Sequence, residues 1–131
     1  VLVVEGDLGS VMKFVRPSGR CPYDDFLKDC HPNFQKKFKG SFGAITEYGS
    51  KYENHQRFTP LTRAGKPLWE FKEFDNRLYC LRTVDGDRVN VILFNGWEKQ
   101  KDRKTERENS EIERAIQLLN EHYLEEKRMK R

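Results

Sequence analysis

Large apolar residues return at regular intervals through the first half of the chain. Phe34, Phe38, Phe42, Ile45 and Tyr48 follow at spacings of four, four, three and three, with Lys36, Lys37 and Lys39 between them. That period aligns the five on one face and predicts a helix opening at Pro32. Gly40 and Gly43 each weaken it by ~1 kcal/mol relative to alanine, while leaving room for another element to lie close. Pro22 to Asp29 reads as a shorter helix burying Phe26 and Leu27. Val11 to Val15 reads as a strand ended by the turn cluster Arg16-Pro17-Ser18-Gly19.

Gly49 to Pro67 is polar and punctuated, a loop longer than compact domains usually carry. Three strands follow, Leu68–Phe74, Arg77–Val84 and Arg88–Trp97, joined by turns at Asp75-Asn76 and Asp85-Gly86. The run Val89, Val91, Ile92, Leu93, Phe94 predicts a central strand buried on both faces. After a charged tract, Ser110 and Glu113 form an S-x-x-E capping box, and Ile112, Ile116, Leu119 and Tyr123 give the last helix one apolar stripe. The expected fold is α+β: a small antiparallel sheet of about four strands, with two N-terminal helices and one C-terminal helix. Residues 1–11 read as an extension or cloning remnant ahead of a single domain at 12–131, with Met12 as its natural start.

Composition narrows the class. With 9 Phe, 5 Tyr and 2 Trp among 131 residues, the chain has enough large apolar surface to form a core. No apolar run approaches the ~18 residues of a membrane-spanning helix, so no membrane partner is expected. The net charge of +4 tilts the expectation toward a polyanionic partner only modestly. Cys21, Cys30 and Cys80 are an odd number without C-x-x-C spacing, which points to reduced thiols in a cytoplasmic protein. Cys21, Cys30 and His31 lack the paired spacing of a zinc site.

Three segments in order resemble a known family. Pro67-Leu68-Trp69-Glu70-Phe71-Lys72 is similar to the "lWElR" strand of the HigB-like, phage-derived branch of the RelE/ParE toxin superfamily. Leu93-Phe94-Asn95-Gly96-Trp97-Glu98-Lys99 is similar to its "lLhgFxKK" signature, and Ser110-Glu111-Ile112-Glu113-Arg114-Ala115 to the opening of its last helix. The resemblance runs from Met12 to about Tyr123. It implies a RelE-like fold and a type II toxin: an endoribonuclease that cuts messenger RNA on the ribosome, restrained by a helix-turn-helix antitoxin. No metal or organic cofactor is implied. The alternative within the superfamily is a non-catalytic interaction protein, either a gyrase poison or an RNA-binding module.

By that resemblance Lys72 takes the basic position after Trp-Glu, for phosphate contact or proton transfer, and Lys99 the first lysine of the K-K pair. The second lysine is replaced by Gln100. The family's strand arginine falls at Tyr79 or Cys80, so Arg82 is the candidate guanidinium. Arg57, Arg63, Lys66, Lys101, Arg103 and Lys104 are the expected RNA contacts. Trp69, Trp97 and Tyr79 read either as core residues or as stacking partners for bases, and His55 as either a loop proton donor or a plain surface residue.

Overall fold

The structure, a computed structural model, describes residues 1–53, 56–99 and 104–130, without the side chains of residues 63, 104 and 105. A hairpin opens it: β1 (Leu2–Gly6) and β2 (Gly9–Lys13). Two helices follow, α1 (Pro22–Asp29) and α2 (Pro32–Tyr48). Then come β3 (Phe58–Pro60), β4 (Leu68–Glu73), β5 (Asn76–Asp85), β6 (Arg88–Glu98) and the long α3 (Lys104–Met129).

The strands form a six-stranded sheet in the order β1-β2-β6-β5-β4-β3, with β2 parallel to β6 and every other pair antiparallel. This corrects the expectation of a four-stranded antiparallel sheet with a leading pair of helices. Val3 and Val4 place the chain start in the sheet as β1, so α1 and α2 follow a hairpin. Phe58 docks on Phe71 to make β3 from what reads as loop. The parallel β2–β6 contact joins segments too distant in sequence for local periodicity to reveal.

Helices cover both faces. Against α1 and α2 the sheet presents Val11, Phe58, Phe71, Leu78, Cys80, Val89, Val91 and Leu93, which pack on Tyr23, Phe38, Phe42 and Ile45. Against α3 it presents Leu68, Tyr79, Leu81, Phe94 and Trp97, packed on Ile112, Ala115, Leu118 and Leu119. β6 is thus buried on both sides, as its unbroken apolar run requires. In α2, Phe38, Phe42 and Ile45 form the buried stripe, while Tyr48 is exposed.

Two glycine positions differ in what they do. Gly49 closes α2 at φ +62°, and a Cβ there would lie 2.3 Å from the Asp87 carbonyl oxygen. Gly40 and Gly43, by contrast, face open space, so no element lies close over them. The last helix also begins earlier than its capping box suggests: Lys104 opens it, and Ser110 lies within it. Glu108, in the added turns, and Glu111, just past them, are buried against the sheet.

Candidate nucleic-acid interface

Side chains alternate across a strand, so residue parity decides which cations share a face. On β4, Leu68, Glu70 and Lys72 face α3, while Trp69, Phe71 and Glu73 face α2. The β4–β5 register pairs Lys72 directly with Arg77, and Glu70 with Tyr79. Arg77 therefore lies on the α3 face beside Lys72. Its Nε is 3.5 Å from Glu70 Oε1, and its Nη1 donates to the carbonyl oxygens of Phe74 at 2.6 Å and Asn76 at 3.0 Å. No ion pair engages Lys72 among the described residues.

Lys99 reaches this face through a bulge. The β5–β6 register jumps between Leu78 and Cys80, from Gly96 to Leu93, so β6 carries one more residue than β5. The jump resets the alternation and puts Trp97 on the same side as Phe94 despite their odd spacing. Lys99 follows Trp97 in phase. Its Nζ lies 2.5 Å from Glu108 of α3, and its backbone N–H donates to the Asp75 carbonyl at 2.7 Å. Trp97 Nε1 donates to the Tyr79 hydroxyl at 2.8 Å. Arg107 lies over the Trp97 ring at 5.8 Å, its Nε donating to Glu111 at 2.8 Å. Glu111 also accepts from Asn95 Nδ2 at 3.2 Å.

Lys72, Arg77 and Lys99 thus gather at one end of the sheet, on the α3 side. Arg82 does not join them. It lies five residues beyond Arg77, about 17 Å along the strand, and its even position turns it to the α2 face. There its guanidinium covers the Trp69 ring at 4.3 Å and donates to the Glu53 carboxylate. Arg82 is a clasp between the sheet and the segment after α2. Lys66 precedes β4 and so also sits at the far end from Lys72. Arg57 is near, its carbonyl oxygen accepting the Lys72 backbone N–H at 2.8 Å. Lys101, Arg103 and His55 lie outside the described residues, as do the side chains of Arg63 and Lys104.

Arg77 is the cation the sequence reading missed. The signal was available: with Phe74-Asp75 as a two-residue turn, counting outward pairs Glu73 with Asn76 and Lys72 with Arg77. Placing the turn at Asp75-Asn76 hides that pair.

Two neighbouring titratable groups are buried and held in their neutral forms. Burial holds the Tyr79 phenol up at about 12, against the opposing pull of the Trp97 N–H. Burial raises the Cys80 thiol well above its ordinary range, so it is not a nucleophile. All three cysteines are free and buried. Among the described residues, no group of three or more His, Cys, Asp or Glu side chains could hold a metal ion.

These shifts set an alkaline limit on stability. A thiol or phenol with a raised folded pKa ionises first in the unfolded chain, so its stabilisation is complete below the unfolded pKa and is lost as pH rises. The urea midpoint is expected to hold to about pH 8 and fall from the ordinary thiol value of 9.0 toward about 12, in step with tyrosinate absorbance. A midpoint unchanged at pH 11 would contradict this.

A cleft of about 600 Å³ lies at the same end of the sheet and is lined by Phe26, Asp29, Asn76, Glu98, Glu106 and Arg107 among others. Its carboxylates outnumber its cations, so it repels phosphate, and neither Lys72 nor Arg77 lines it. The interface of interest is the face that carries Lys72 and Arg77. No helix among the described residues is long and apolar enough to cross a membrane. No protein-family model matches the sequence, and no curated protein matches it.

Proposed function

We propose that this chain is a toxin endoribonuclease of the RelE/ParE kind that cuts messenger RNA on the ribosome, with Lys72 and Arg77 at the scissile phosphate. One observation carries the reading: two like charges are direct cross-strand neighbours. Such a pair destabilises a sheet, and Glu70 beside Arg77 offsets only one of the two. The phosphodiester brings one negative charge to that face and the phosphorane formed from it brings a second, which together compensate both cations. The sequence likeness of the Trp69–Lys72 and Leu93–Lys99 segments to that superfamily supports the same reading independently.

In this mechanism the ribose 2′-oxygen attacks the adjacent phosphorus, and the bond from phosphorus to the 5′-oxygen breaks. The 2′-hydroxyl gives up its proton and the leaving 5′-oxygen gains one, so the products carry a 2′,3′-cyclic phosphate and a 5′-hydroxyl. Charge accumulates on the non-bridging oxygens as the phosphorane forms, and cationic donors fixed beforehand stabilise it most. Arg77, held by two backbone carbonyls, is such a donor. Lys72 contacts the phosphate and relays a proton from the 2′-hydroxyl toward the leaving 5′-oxygen. Lys99, just past β6, borders the site with its charge offset by Glu108.

A second reading has its own support. Glu70 engages Arg77 and Glu108 engages Lys99, an arrangement suited to a protein that docks without cutting. Inducing the chain in bacteria separates the two. Growth arrest with discrete cuts in messages, mapped by primer extension, is the expected outcome. Arrest without cuts would favour the docking protein, and no arrest at all would contradict a toxin.

A further inference from the structure

We infer that Phe74 is a stacking platform for an unpaired nucleobase, placed to hold single-stranded RNA whose phosphate lies on Lys72 and Arg77; the inference rests on the RNA-cutting reading above. Phe74 occupies the first position of the two-residue turn between β4 and β5, at φ +58°. A two-residue hairpin loop normally takes glycine, asparagine or aspartate at such a position, and a bulky side chain there is strained. Its ring is also 80% exposed. A large aromatic that neither suits its turn nor enters the core offers the fold only its contact with Phe34, against the strain it carries. Strained, exposed positions of this kind mark binding sites.

The ring is nevertheless held in place. It stacks on Phe34 of α2 with centroids 6.2 Å apart and planes at 28°. Lys37 sits over the Phe34 ring at 5.6 Å. The turn's two carbonyl groups accept from the Arg77 guanidinium and the Lys99 backbone N–H. Phe34 belongs to α2, so the ring stands on the α2 side of the sheet's end while Lys72 and Arg77 stand on its α3 side; an RNA strand that lays a base on the ring crosses the turn to reach them. Aromatic faces interleaved with cations suit single-stranded RNA, because each base offers a stacking face and each phosphate a charge. Phe34 covers only a small part of Phe74, which leaves most of the ring open to a base.

The test is fluorescence anisotropy with labelled oligo(A) and oligo(U) of about a dozen nucleotides, and a matched strand of abasic ribose phosphates. Phe74→Gly relieves the φ strain while removing the ring, so its melting temperature should equal or exceed that of the unaltered chain. Its affinity for both oligonucleotides should nonetheless fall about tenfold, with Phe74→Trp restoring it and the abasic strand insensitive to either change. Phe74→Gly binding both strands as tightly as the unaltered chain would overturn the inference. So would a tenfold loss that the abasic strand shares, or an unaltered chain that binds neither oligonucleotide. Message cutting that still depends on Lys72 in any of those cases would leave the nuclease reading standing and remove only the platform.

Discussion

Lys72→Met is expected to slow message cleavage by about 10²–10³-fold, the usual effect of deleting one positioned donor or proton-transfer group. The urea midpoint should hold or rise slightly, because no ion pair engages Lys72 among the described residues and the change removes its repulsion with Arg77. Arg77→Met should also abolish cutting, but less cleanly. It removes the donor to the Phe74 and Asn76 carbonyls and takes one partner from the nearly buried Glu70 carboxylate, which costs about 1–3 kcal/mol. Arg82→Met supplies the contrast. It loses its contacts with Trp69 and Glu53 and so some stability, yet it lies on the other face and should leave the single-turnover rate within a few-fold. Wild-type cleavage by Lys72→Met, or its abolition in a folded Arg82→Met, would contradict this assignment of faces.

Phe71→Ala is expected to cost about 3–5 kcal/mol, measured by urea denaturation. Phe71 is 1% exposed, stacks on Phe58 at 4.4 Å and meets Phe42 edge-on at 5.1 Å. It is where β3, β4 and α2 meet, so the cavity it leaves has walls on three elements that cannot all collapse inward. Against a total stability of about 5–15 kcal/mol, this is enough to unfold a large part of the population at growth temperature. Phe71 lies between Glu70 and Lys72, so cleavage should fall with the folded fraction and return on cooling. A loss below 1 kcal/mol would mean that the β3–β4 edge packs more loosely than these contacts imply.

The two kinds of loss show how the sequence encodes the site. β4, β5 and β6 were legible because apolar residues alternate or run continuously between clear turn signals. α1 and α2 were legible from proline starts and a regular stripe. β3 was not, since a three-residue strand containing Pro60 gives no period to read. β1 was not, because its two valines gain meaning only once β2 pairs with them and α2 covers them. At α3 the Ser110 capping box misled: six earlier residues extend the helix, held by Glu108 with Lys99 and by Glu111 with Asn95 and Arg107, contacts that no local rule reports.

The site followed the same logic. Lys72 and Lys99 were found by resemblance to a motif, but which face each occupies depends on register. Arg77 emerges once the turn is moved back by one residue, to Phe74-Asp75. Lys99 reaches the α3 face because of the Leu78–Cys80 irregularity, and a bulge is invisible to a period-two count. Arg82 shares a face with Cys80 as its spacing requires, but that face is the one turned away from Lys72.

The most direct test is the chemistry of the cut ends. A defined message on purified ribosomes, incubated with the protein and analysed by mass spectrometry, should yield a 2′,3′-cyclic phosphate and a 5′-hydroxyl. A 2′-O-methyl group at the cut nucleotide should block cleavage, and Lys72→Met should remove the product. A 3′-hydroxyl with a 5′-phosphate, or undiminished cutting of the 2′-O-methyl message, would contradict attack by the ribose oxygen and, with it, the role given to Lys72 and Arg77.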